Sequence, residues 1–242
     1  MPRFWLLSLV AAAASAQPNE LPSREVLRYD IEWRLITAGK ASIAWQQDRS
    51  GNAQIDLHVE SVGLVSKLFP VNDVYRARYA AGICAESSEL SSREGNRQRE
   101  TRITYDSAAR KASYVERDLL KNVVLRQHEI EIPGCVHDVA GGLFFLRTLN
   151  LEPGQSTSVP VTDGKKFAMA RVEAQQREDV KTPEGVFHTI RYEIFLFNNV
   201  IYRRPAHLNI WLTDDRRRLP VQIRVRMQIT IGTITLLLEK HE

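Results

Sequence analysis

Apolar residues in this chain recur at every second position far more often than at every third or fourth, and a period of two predicts strands. Ile31, Trp33 and Leu35 alternate with Asp30, Glu32 and Arg34, which makes one side of an extended segment greasy and the other charged. Thr37-Ala38-Gly39-Lys40 reads as a turn. Ala41, Ile43 and Trp45 repeat the alternation, Arg49-Ser50-Gly51-Asn52 turns the chain again, and Ile55, Leu57 and Val59 complete a three-stranded meander. Val62 to Phe69, stopped by Pro70, predicts one or two helical turns, and Val74 to Tyr79 returns to strand. The polar stretch 86–101 reads as an exposed hairpin tip. Ile103 and Tyr105, then Tyr114 and Val115, then His128, Ile130 and Ile132 continue the strand pattern up to Pro133-Gly134.

The period changes once. Asp138 is a good N-cap, and Val139, Leu143, Leu146 and Leu149 follow at helical spacing before Glu152-Pro153-Gly154. Gly141 and Gly142 each weaken that helix by about 1 kcal/mol relative to alanine. Strands then resume over 158–161, 167–174, 186–197 and 208–212, with turns at Asp163-Gly164, Thr182-Pro183-Glu184-Gly185 and Asp214-Asp215. Val221 to Ile231 is the longest period-two run. Past Gly232 the apolar positions move to Ile234, Leu236 and Leu238, which reads as a bulge that flips the register. So many meander connections with one helix predict a strongly twisted antiparallel sheet, curled into a barrel-like form or a two-layer sandwich.

The first residues change the picture of where the chain works. Arg3, an apolar run from Phe4 to Ala14 broken by Ser8, and Ala14-Ser15-Ala16 match a secretory signal with cleavage after Ala16. The run is too short for a spanning helix, which needs about 20 apolar residues. Removing 16 of the 242 residues leaves 226, expected as one β domain over 17–242 in the periplasm or outside the cell. Charge adds little: the formal net charge is +4, with both signs mixed along the strands, and nucleic-acid binding is not indicated. The two cysteines, Cys84 and Cys135, favour a bridge in an oxidising compartment, with two buried thiols as the alternative.

Six short motifs occur in order: Tyr29-Asp30-Ile31-Glu32-Trp33, Thr37-Ala38-Gly39-Lys40-Ala41, Leu68-Phe69-Pro70-Val71, Phe144-Phe145-Leu146-Arg147-Thr148-Leu149, Thr182-Pro183-Glu184-Gly185-Val186-Phe187 and Ile210-Trp211-Leu212-Thr213-Asp214-Asp215. With them the chain resembles the exported bacterial proteins of domain-of-unknown-function family 3108, from about residue 26 to 240. The resemblance implies a β fold and an envelope location, and carries no catalytic residues with it. The chain departs from it over Cys84 to Arg102, where such proteins more often carry an apolar Leu-Pro strand; the cysteine suggests a subgroup stapled to Cys135.

Candidate chemistry is sparse. His58, His128, His137, His188, His207 and His241 show no metal-binding spacing, and His128 shares a face with Ile130 and Ile132, as a core histidine would. Gly154-Gln155-Ser156 lacks the glycine of a nucleophile elbow. Asp214 and Asp215, followed by Arg216 to Arg218, read as a solvated turn. No catalytic residue, metal or cofactor is expected. Arg224 and Arg226 share one sheet face that could meet an anion. Trp33, Trp45 and Trp211 are placed inward, and with Phe144 and Phe145 on the helix they are candidates to line an apolar cavity. The expected function is non-enzymatic binding of a lipid-like molecule or another envelope protein. The rivals are a hydrolase with a site assembled from scattered residues and a purely structural interaction protein.

Overall fold

The computed structural model describes residues 19–34, 36–227 and 232–242. The expected signal segment 1–16, Leu35, and Gln228 to Ile231 of the long alternating run lie outside the described residues. In chain order the elements are β1 (Arg24–Trp33), β2 (Ile36–Gln47), β3 (Ala53–Ser61), α1 (Gly63–Leu68), β4 (Asn72–Ala80), β5 (Cys84–Glu94), β6 (Arg97–Asp106), β7 (Lys111–Asp118), β8 (Val123–Glu131), α2 (Val139–Thr148), β9 (Ser156–Thr162), β10 (Phe167–Lys181), β11 (Val186–Ile194), β12 (Ala206–Thr213), β13 (Pro220–Met227) and β14 (Thr233–His241).

Among the described residues all the strands belong to one antiparallel sheet, ordered β8 to β1 and then β14 to β9. Two meanders are thus joined where β1 pairs with β14, from Leu27 opposite His241 to Trp33 opposite Ile234. The sheet curls but does not close on itself. Its edges are β8 and β9, and the gap between β9 and the start of β5 is bridged by the segment after β8. Ala85 N–H donates to the Val136 carbonyl at 2.8 Å, His137 N–H to Pro160 at 2.9 Å, and Thr162 N–H to His137 at 3.0 Å. The Cys84–Cys135 disulfide lies beside this seam, with its Cα atoms 5.0 Å apart.

The inward side chains form two apolar clusters, one mainly from β1 to β7 and one from β9 to β12. Helix α2 joins them. Phe144 belongs to the first and Leu146 to the second, while Leu143 and Phe145 pack against both. Asp138 caps the helix by accepting from Gly141 N–H at 2.6 Å. A side chain at Gly141 would meet the Tyr79 ring at 2.6 Å, so the glycine that lowers helix propensity lets the helix approach the sheet.

The structure corrects several expectations. Thr37 to Lys40 lies inside β2 and not in a turn: Gly39 is needed because a Cβ there would meet the Glu60 carbonyl at 2.5 Å across the sheet, and the β1–β2 register slips between Ile31 and Glu32. Residues 86–101 are no exposed tip but most of β5 and β6, paired from Ser87–Thr104 to Glu94–Arg97, with only Gly95 and Asn96 between them. Gly232 does not flip the register of a single strand. It belongs to a hairpin in which β13 ends at Met227 and β14 pairs back on it, Val225 opposite Ile234, with Met227 N–H bonded to the Gly232 carbonyl at 3.0 Å. His128 is exposed, because β8 is an edge strand that packs only through β7.

Candidate ligand cavity

Antiparallel order sends the strand connections to two ends of the curled sheet. The α1 loop and the turns at 95–96, 119–122, 163–166 and 195–205 lie at one end, and those at 48–52, 107–110, 182–185 and 214–219 at the other. Helix α2 plugs the second end. The guanidinium of Arg147, fully buried, donates to both carboxylate oxygens of Glu25 at the start of β1, at 2.5 and 3.0 Å, and to the Arg217 and Arg218 carbonyls of the β12–β13 turn, each at 3.1 Å. Phe144 stacks on Trp45 with centroids 4.5 Å apart, and Arg147 lies 5.2 Å over the Phe144 ring.

Above the plug is a cavity of about 640 Å³. One wall comes from β2 to β4, with Ile43, Ile55 and Leu57; the facing wall comes from β9 to β13, with Val172, Ile210 and Val225; Leu143 and Phe144 of α2 form the floor. Asp73, Asp163, Lys165 and Phe197 bound it where it reaches solvent, at the end away from the plug. The β9–β10 turn lies across this side, its Lys165 ammonium 5.0 Å over the Tyr114 ring.

A buried polar cluster sits against the apolar wall. Asp138 is 3% exposed and accepts hydrogen bonds from the hydroxyls of Tyr79, at 2.9 and 3.1 Å, and Tyr75. Burial pushes its carboxyl above the ordinary carboxylate range, and those donors oppose the shift. Burial likewise raises the Tyr75 and Tyr79 hydroxyls, and holds His137 below the ordinary imidazole value. His137 donates from Nδ1 to the Ile83 carbonyl at 2.8 Å and stacks 4.1 Å from Phe145. Tyr202, at the open end, is pushed up to about 12 by burial.

Of the side chains singled out from the sequence, Phe144 lines the cavity and Trp45 supports it from behind. Phe145 packs on His137, beside the seam. Trp33, half-buried at the end of β1, lies under the Arg34 guanidinium at 5.3 Å. Trp211 is buried, but Ile210 beside it faces the cavity, so Trp211 projects from the opposite face. There its indole N–H donates to Glu178 at 2.7 Å and Arg224 lies 5.0 Å over the ring. Arg226, exposed, is two residues along the same face as Arg224, opposite His207. The cysteines form the disulfide. Sequence reasoning missed Tyr75, Ser88, Tyr105 and the Glu25–Arg147 pair; the inward position of Tyr75 and Tyr105 in their alternating runs was the available signal. Among the described residues no group of three or more His, Cys, Asp or Glu is placed to hold a metal ion. Nor is any helix long and apolar enough to cross a membrane.

Comparison with solved structures supports the barrel-like description. A β-barrel-like protein of domain of unknown function DUF1849 from Brucella abortus aligns over 92% of this chain and 98% of its own, with a TM-score of 0.58 at 6% identity. That is a likeness of fold. A protein with a YmcC-like fold from Bacteroides fragilis (TM-score 0.38, 11% identity, 93% and 98% covered) and a DUF1089 family protein from Pseudomonas aeruginosa (0.33, 15%, 90% and 95%) align less well. No curated protein matches the sequence. The family model described as "Protein of unknown function (DUF3108)" matches residues 28–239, which takes in both meanders and the helical plug, and the chain belongs to that family.

Proposed function

We propose that this chain is an exported envelope protein that encloses an apolar or amphiphilic molecule in the curled sheet, without catalysing a reaction on it. The cavity carries this reading. Its volume falls within the roughly 300–1,000 Å³ of small-molecule sites, and its walls are aliphatic with a few polar groups. Export is supported by the leader pattern in residues 1–16 and by a disulfide suited to an oxidising compartment. Binding would be driven by burial: about ten methylenes removed from water contribute about 8 kcal/mol. Association costs of at least about 4 kcal/mol offset about half of that, which leaves ten methylenes near millimolar affinity and brings micromolar binding within reach of a chain of about fifteen.

The test is uptake of N-phenylnaphthylamine, whose fluorescence rises when it leaves water. Wild type is expected to take up one equivalent and to release it to acyl-chain competitors. Leu57→Trp with Val172→Trp, on facing walls, is expected to abolish uptake while the far-ultraviolet circular dichroism stays that of a β protein. A folded wild type that takes up no probe, and carries no added mass in native mass spectrometry after gentle purification, defeats the reading.

A further inference from the structure

Among the polar side chains that line the cavity, Ser88 of β5 and Tyr105 of β6 do so together with Tyr75 and Asp138. Not all of these hydroxyls are free to bind a guest. Tyr75 and Tyr79 have committed their protons to the Asp138 carboxylate. Tyr105 has not. It is 7% exposed, and its buried hydroxyl has no hydrogen-bond partner among the described residues. Ser88 is near enough to affect its ionisation but makes no hydrogen bond of normal geometry with it. A buried donor left unpaired costs the folded protein its desolvation, and such groups call for a ligand or another explanation.

We propose that Tyr105, assisted by Ser88, holds the carbonyl oxygen of an uncharged acyl ester whose hydrocarbon chain fills the cavity. This rests on the amphiphile reading above and names the polar end of the guest. An ionised carboxylate is the poorer fit for two reasons: it would be buried with one or two neutral donors, and it would lie beside Asp138, whose charge acts on Tyr105. A hydrocarbon with no acceptor leaves the hydroxyl unpaired.

Competition against bound N-phenylnaphthylamine by decane, methyl decanoate and decanoate separates these cases. Methyl decanoate is expected to bind wild type about two- to tenfold more tightly than decane, the gain of one net hydrogen bond, and decanoate no more tightly than decane. Tyr105→Phe should bind decane as wild type does and lose the ester preference. Because it removes an unpaired buried hydroxyl, it should also melt no lower than wild type in the absence of ligand.

Equal affinity of wild type for decane and methyl decanoate overturns the proposal. So does an ester preference that survives both Tyr105→Phe and Ser88→Ala, and so does a Tyr105→Phe variant that melts lower, since the hydroxyl would then have a partner within the protein. If decanoate binds tightest and Lys165→Met removes that gain, the polar end sits at the solvent side and the assignment to Tyr105 fails. Failure of wild type to bind decane at all defeats the cavity reading itself, and is told apart from the other outcomes by that first measurement.

Discussion

Asp138 combines a role that the sequence displays with one that it hides. An acidic residue before an apolar helical repeat is a recognisable N-cap, and Gly141 N–H bonds to it as that pattern requires. Nothing in the linear order says that Tyr75 and Tyr79, about sixty residues earlier, bring their hydroxyls to the same carboxyl; that depends on where the helix docks. Burial raises the Asp138 pKa, so the carboxyl holds its proton more tightly in the folded chain than in the unfolded one. The contribution to stability is complete below the ordinary carboxyl value and is lost as pH rises through the raised one. Asp138→Asn keeps an acceptor for Gly141 and carries no charge. Its melting temperature relative to wild type is therefore expected to improve between about pH 4 and about pH 8, read from thermal melts at matched ionic strength. A difference that stays constant, or widens against the variant as pH rises, contradicts a raised Asp138 pKa.

Whole elements were legible wherever the alternation was clean. The β3, β4 and β12 segments and α2 stand where hydrophobic spacing places them, because each buries one face against the apolar interior, whereas α1, stopped before Pro70 as expected, buries none of its residues. Misreadings came where glycine or polar residues were taken for punctuation. Gly39 looks like a turn but serves a close approach to β3, and Ser88 and Ser91 look like a loop but pair in β5 against β4 and β6. The same limit applies to α2. Its apolar spacing shows that it packs, while the partner that fixes it, Glu25, is more than a hundred residues away. Removing one member of a buried ion pair strands the other, at a cost of about 3–5 kcal/mol, whereas replacing both with apolar residues is often close to neutral. Arg147→Met alone is expected to lose about that much in urea denaturation, and Glu25→Leu with Arg147→Met to recover at least half of it. The recovery stays incomplete because the Arg217 and Arg218 carbonyls lose their donor. Equal losses in the single and double variants contradict a role for the pair in seating the helix.

At the scale of the molecule, a curled antiparallel sheet follows from pattern alone, but its closure does not. Among the described residues the fourteen strands leave two edges, bridged there by a few backbone hydrogen bonds from Val136 and His137 to β5 and β9. No periodicity marks a two-residue bridge; the cysteine beside it is the one trace in the sequence, and it gives a pairing without a place. The disulfide closes a loop over a separation of 51 residues, worth about 4 kcal/mol by chain entropy. Its position predicts something that entropy does not. Cys135 precedes Val136, and Cys84 precedes Ala85, so the bond holds together the two strips of backbone that the seam joins. Mild reduction under native conditions is therefore expected to speed hydrogen exchange first at Ala85, His137 and Thr162, while amides at the β1–β14 junction, such as Ile31, keep the protection of the sheet centre. Guest uptake should weaken in step, since a loosened seam lets water reach the apolar wall. Exchange that quickens evenly across the sheet would make the bond a general restraint on the unfolded chain, and unchanged exchange at the three seam amides would show that the bridge between β5 and β9 holds without it.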